Sequence, residues 1–150
     1  TPAAPLLAAL CKDAQALCTK AGLRFEAAVP QGGPAALFCA KNLLCRAVLN
    51  LVENAVSASP QGGLVSLQAE CSGNFLCLRV LDEGPGFSPE ALRLGTQAFY
   101  SGDAARNPAA GHMGLGLTIA SEAAQLHGGR LSLSNRPQGG ACAELCLPLG

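Results

Sequence analysis

The sequence has no tryptophan, a single tyrosine and a single methionine. Histidine occurs twice, and ten basic residues are balanced by ten acidic ones. A surface that tracks phosphate backbones needs a basic surplus, so this balance argues against nucleic acid as the main partner. No CxxC pair occurs anywhere, which removes the close spacing used by zinc ribbons and redox motifs. No apolar stretch reaches membrane-spanning length without glycine, proline or charge. The uncharged run from Ala27 to Ala40 is broken by Pro30, Gly32, Gly33 and Pro34. A charged segment followed by an apolar run, the mark of a secretion signal, is missing, and the first residue is Thr1. The chain therefore reads as a piece excised from a longer protein.

What remains is a chain of one-domain size, 150 residues long and 49% hydrophobic, enough to bury a real core. Its eight cysteines fall at 11, 18, 39, 45, 71, 77, 142 and 146. Several occupy places where a small hydrophobe would serve, such as Cys45 in a helical run and Cys77 in "FLCLRVLD". They read as reduced thiols of a cytosolic protein. A disulfide framework is the alternative.

Hydrophobic periodicity predicts alternating elements. A helix runs from about Ala3 to Ala21 and stops at Gly22. "LRFEAAV" is a short strand and "PQGGP" a loop. A second helix runs from about Lys41 to Ser59 and is closed by Pro60, Gly62 and Gly63. "LVSLQAEC" and "FLCLRVLD" form a hairpin across "SGN". "GLTIASEAAQLHG" is helical, and "RLSLSN" with "ACAELCLPL" makes a closing hairpin across "RPQGG". Helices interleaved with hairpins predict an α/β two-layer sandwich as one domain over 1–150, its mixed, mostly antiparallel sheet covered on one face by about three helices.

Between the strands and the last helix lie roughly thirty residues, Glu83 to about Met113, without regular pattern. A stretch of that length is functional or disordered. It opens with "DEGPGF", where Asp82 ends a strand and Gly84 and Gly86 follow. A carboxylate there can accept a hydrogen bond from an exocyclic amine, and the glycines leave room for a flat ring. A simple turn uses the same residues. It closes with "GHMGLGL", where Gly111, Gly114 and Gly116 lead into a helix N-terminus, a natural anion site. The spacing matches neither the P-loop nor the dinucleotide fingerprint. Alone, it serves a helix start equally well.

The helix around "LNLVENAVSAS" carries two asparagines, which are poor helix formers. At about 100 degrees per residue, Asn42, Arg46, Asn50, Glu53, Asn54 and Ser57 share one stripe. Leu44, Ala47, Val48, Leu51, Val52 and Ala55 cover much of the rest. The plain reading is a surface helix with its wet face outward. Amide oxygens in the middle of that face instead suit a hydrated Mg²⁺, a hard cation that prefers oxygen.

Taken in order, "LNLVENA", "DEGPGF" and "GHMGLGL" resemble the N, G1 and G2 boxes of the GHKL ATP-binding (Bergerat) fold. Within it the chain is most similar to the catalytic ATP-binding domain of bacterial two-component sensor histidine kinases. "AFYSGD" resembles that family's F box, and "LHGGRLSLSN" with "GGACAELCLPL" its C-terminal end. The resemblance implies a cytoplasmic protein-histidine kinase domain that binds ATP and Mg²⁺ under a long lid. It implies that Asp82 binds the adenine amino group, with Gly84 and Gly86 shaping the pocket. Asn54 is then the Mg²⁺ ligand and Asn50 a polar contact near the phosphates. Gly111, Gly114, Leu115 and Gly116 hold phosphate oxygens, Phe99 and Tyr100 belong to the lid, and Arg106 is its candidate phosphate contact. The implied partners are the protein's own dimerisation and phosphoacceptor helices, and through them a response regulator. Neither nucleic acid nor direct membrane contact is implied.

Some positions depart from the family pattern. ATP-hydrolysing relatives carry glutamate where Asn50 stands, and an amide cannot take a proton from water. Ser57 stands where many relatives have lysine, and "FCAK" near Ala40 lacks a common aspartate. His112 lies inside the glycine loop, and His127 at a helix end, where an imidazolium meets a favourable dipole. Neither lies in a phosphoacceptor-like helix. A stand-alone serine kinase or ATPase, and an interaction module without nucleotide, are the alternatives.

Overall fold

The computed structural model describes residues 3–29, 40–89, 92 and 119–148. Helix α1 (Ala3–Lys20) buries Leu6, Leu7, Leu10, Ala14 and Cys18 along one stripe. It ends in a Schellman turn: the Leu23 amide donates to the Cys18 carbonyl at 2.8 Å and the Gly22 amide to Thr19 at 3.1 Å. Strand β1 (Arg24–Ala28) follows at once. Helix α2 (Lys41–Ala58) buries Leu44, Ala47, Val48, Leu51, Val52, Asn54 and Ala55. Its last turn closes on Ser59, whose hydroxyl donates to the Ala55 carbonyl at 2.6 Å, and Pro60 prevents continuation.

Strands β2 (Leu64–Ser72) and β3 (Phe75–Leu81) form the first hairpin. A helix over 119–126, α3, buries Ala120, Ser121, Ala123 and Ala124. The closing hairpin is β4 (Arg130–Asn135) with β5 (Ala141–Pro148). The sheet order is β1-β2-β3-β5-β4. Only β1 and β2 run parallel, joined by a crossover through α2; every other pair is antiparallel.

Alternation along the strands sends Val65, Leu67, Leu76, Leu78, Val80, Ala143 and Leu145 to one face, into a core shared with all three helices. The opposite face carries Gln68, Glu70, Arg79, Ser132 and Glu144, and among the described residues no helix lies on it. The expected two-layer sandwich holds, and the bounds of α1, α2 and the five strands agree within a residue or two. The expected start of the last helix at Gly116 lies outside the described residues, and residues 89 and 92 are helical within the stretch expected to lack regular structure. The expected "PQGGP" loop lies outside the described residues.

One expectation needs correction. The register places Cys77 opposite Cys146, with α-carbons 4.1 Å apart, and their sulfurs form a disulfide. The cysteines are thus not all reduced. The two are 69 residues apart in sequence, so no spacing rule could join them. Cys18, fully buried, does pack as a small hydrophobe. His127 joins two helices: its Nε2 accepts the Ala40 amide at 2.8 Å and its Nδ1 stands 2.7 Å from the Ala123 carbonyl, which ties α3 to the start of α2.

Candidate functional site

The C-terminal half of α2 passes over the ends of β3 and β5, and a cavity lies between them. Its walls are apolar, from Leu51, Ala55, Val80 and Phe87, with two polar groups: Asn54 on the helix and Asp82 just past β3. Asn54 is 6% exposed and Asp82 5%. The stripe on α2 is therefore graded. Asn42, Arg46 and Ser57 are exposed, Asn50 and Glu53 half-buried, and Asn54 is buried against the sheet. A surface helix with a uniformly wet face does not describe it. Asn50, one turn earlier, is not in the cavity wall.

Asp82 is held from several sides. Its Oδ1 accepts the Gly84 amide at 2.8 Å and the Ala141 amide at 3.1 Å. Its own amide donates to the Ala141 carbonyl at 3.0 Å, extending the β3–β5 ladder. Arg136 Nη1 donates to its carbonyl at 2.8 Å. Burial pushes the carboxyl above the ordinary aspartate value, and the two amide bonds and the Arg136 charge pull part of the way back. Among the described residues both side-chain bonds fall on Oδ1, so the carboxylate keeps acceptor capacity toward the cavity.

The glycines of "DEGPGF" sit where a side chain would collide. A Cβ on Gly84 would stand 2.4 Å from the Ala58 carbonyl oxygen at the end of α2, and one on Gly86 2.7 Å from Asn135 Oδ1. Phe99, Tyr100, Arg106, Gly111, His112, Gly114, Leu115 and Gly116 lie outside the described residues.

Sequence reading missed the strap that holds this loop. Asn135 Oδ1 accepts the Phe87 amide at 2.7 Å, and Asn135 Nδ2 donates to the Phe87 carbonyl at 3.0 Å. One side chain thus completes both backbone groups of a cavity residue, as a neighbouring strand would. In the turn after it, Arg136 secures the Asp82 backbone, and Gly140 leaves room for the Asp82 carbonyl. The only sequence signal was a hairpin turn in "NRPQGG". Asn135→Ala leaves both groups of Phe87 unpaired, an expected loss of about 1–3 kcal/mol in stability. Thermal unfolding should register it, and nucleotide affinity should fall about tenfold by calorimetry. An unchanged melting temperature would refute the strap.

Residues 39–150 match the model of the histidine kinase-, DNA gyrase B- and HSP90-like ATPase family. The chain belongs to this family of ATP-binding domains, in its sensor histidine kinase branch. It is 45% identical over 107 residues to the sensor histidine kinase SpaK of Bacillus subtilis, covering 71% of this chain and 23% of SpaK. It is 38% identical over 144 residues to the sensor protein PfeS of Pseudomonas aeruginosa, covering 89% of this chain and 31% of PfeS. The chain thus spans about a quarter to a third of the curated relatives it matches. Among solved structures, the mycobacterial sensor histidine kinase MprB superposes with a TM-score of 0.76 at 26% identity, covering 96% of this chain and 93% of that one. Full-length ShkA in complex with AMPPNP gives 0.80 at 25% identity, covering all of this chain and 31% of ShkA.

Proposed function

We propose that the cavity between α2 and the β3–β5 end is the base of a Mg²⁺·ATP site, and that the chain is the catalytic domain of a cytoplasmic sensor histidine kinase. Its γ-phosphoryl group passes to a histidine on a separate helical dimerisation domain, and from there to a response regulator. The observation that carries this reading is the burial of Asp82 and Asn54 in the walls of one apolar cavity. A mostly apolar cavity with a few convergent polar groups is the usual form of a small-molecule site.

Asp82 accepts the exocyclic amine of adenine, and Gly84 and Gly86 let the backbone approach the ring. Asn54 offers a neutral oxygen, a donor suited to a hard divalent cation. Bound Mg²⁺ supplies charge neutralisation on the phosphate oxygens. Asn50 stands nearby as an amide, which cannot activate water as a base, so ATP is held for transfer rather than hydrolysed. The backbone at Gly111, Gly114, Leu115 and Gly116 donates to the phosphates, and Phe99 and Tyr100 belong to the lid. Catalysis by this domain is positioning and charge stabilisation.

Calorimetric titration with a non-hydrolysable ATP analogue tests the reading. Binding should strengthen with Mg²⁺, and saturation at a hundredfold excess should stabilise the fold by about 2.7 kcal/mol. Asn54→Ala should remove the Mg²⁺ dependence, at a cost of about tenfold in affinity, while keeping metal-free binding. No heat up to millimolar ligand, with or without Mg²⁺, would rule the site out.

A further inference from the structure

The uncovered sheet face carries side chains for which the nucleotide cleft has no use. Cys77 on β3 faces Cys146 on β5, and Glu144 points to the same face two residues before Cys146. One donor atom from each, two sulfurs and a carboxylate oxygen, lies within 4.8 Å of the others. The cysteines are 9% and 3% exposed, yet they border a cavity of about 310 Å³ that also touches Phe75, Gly129 and Arg130. The sulfurs are thus buried and Glu144 half-buried, while one side stays open. In the described state the sulfurs are joined.

We propose that Cys77, Cys146 and Glu144 form a second site, which takes a thiophilic divalent cation of the zinc class once the disulfide is reduced. Two soft sulfurs and one carboxylate are a zinc-type donor set, with the cavity leaving a fourth position for water. Two thiolates and a carboxylate bring three negative charges; a divalent cation offsets two of them, and the Arg79 guanidinium is shared between Glu144 and Glu70.

Arg79 does not tie Glu144 up. It binds Glu144 through Nε and Glu70 through Nη1, the latter at 2.8 Å. If Glu144 turns to a metal, the guanidinium keeps its partner on Glu70 rather than being left unpaired. The missing CxxC spacing is no obstacle, because strand register sets the two sulfurs side by side.

Opening the site is thiol–disulfide exchange with a small dithiol. One thiolate of the dithiol attacks one sulfur and the Cys77–Cys146 bond breaks. The second thiol of the dithiol then closes on the first, releasing both cysteines as thiols and leaving the reagent as a cyclic disulfide. On metal uptake the two thiol protons go to solvent as two metal–sulfur bonds form.

The test uses the chain reduced with a dithiol, freed of reductant without air, and titrated with Co²⁺ alone. A sulfur-to-cobalt charge-transfer band should grow, saturate at one equivalent and vanish on adding Zn²⁺. Oxidised protein should give no band. Cys77→Ser and Cys146→Ser should abolish it, whereas Cys71→Ser and Cys142→Ser should leave it intact. Glu144→Gln should weaken Co²⁺ binding about tenfold or more. No band in the reduced wild type, or an undiminished band in Cys77→Ser, overturns the site. If the serine variants fail to fold by circular dichroism, Glu144→Gln decides, and unchanged Co²⁺ affinity in it rejects the three-ligand set.

Discussion

Asp82→Asn is expected to lower ATP affinity about a hundredfold while leaving the unliganded domain as stable as the wild type, or more so. The two effects come from one geometry. The asparagine Oδ1 can keep the amide bonds from Gly84 and Ala141. Its NH₂ group then faces the cavity and meets the adenine amine donor to donor, where the carboxylate accepted. Losing a charge-assisted hydrogen bond costs about 1.5–3 kcal/mol, and an unpaired donor adds to it. Stability moves the other way because a buried carboxylate carries a desolvation penalty that a neutral amide does not. A gain of about 1 kcal/mol would raise the melting temperature by about 2–4 °C. A variant that both unfolds earlier and binds ATP normally would contradict the assignment.

The same residue sets opposite pH trends for folding and binding. Burial holds its carboxyl above the ordinary value of 3.8. The folded state therefore binds the proton more tightly than the unfolded chain, so this group's contribution to stability falls as pH rises through that interval. Once pH exceeds the folded value, the penalty is complete and constant. In the proposed role of Asp82, ATP binding needs the ionised form, so affinity is expected to fall as pH drops through the folded value. Calorimetric titrations and melts on wild type and Asp82→Asn over the acid range should show both trends, and the variant should lose each.

Gly140→Ala is the second large effect. Gly140 has φ +104°, a conformation L-residues rarely adopt, and a Cβ there would stand 2.0 Å from the Asp82 carbonyl oxygen. Backbone strain costs about 1–3 kcal/mol, and displacing the Asp82 backbone adds a similar amount. Gly139 is the internal control. Its φ is +100°, and a Cβ there meets nothing within 4 Å. Gly139→Ala should therefore lose only the strain and still bind ATP, whereas Gly140→Ala should lose more stability and at least tenfold in ATP affinity. Equal losses in denaturant unfolding would mean that contact with Asp82 is immaterial.

The elements were legible because their signals are local. Apolar residues at 44, 47, 48, 51, 52 and 55 place one helix face, and all six are buried on α2. Gly22 marked the end of α1, and the hydrogen bonds there are those of a glycine C-cap. The Asp82–Gly84–Gly86 cluster was legible for a related reason: an acid and two glycines at a strand end restrict the backbone and leave space together. Asn54 was readable as a residue out of place, but not as a buried one, since helical angle alone cannot say how deep a stripe sinks.

Residues that act across the sheet left no such trace. Asn135 read as the end of a strand, and Arg136 and Gly140 as parts of a turn, although Asn135 holds Phe87, Arg136 holds the Asp82 carbonyl and Gly140 leaves room for it. Cys77 read as a small hydrophobe and Cys146 as one more reduced thiol. The spacing of apolar and turn residues sufficed for helices and strands, because each depends on neighbours within a few positions. Insertion of β5 between β3 and β4, and the register that follows, depend on burying one face of every strand in a common core. That long-range packing alone brings residues 135 and 136 against the cavity residues 87 and 82 and sets residues 77, 144 and 146 together on the opposite face.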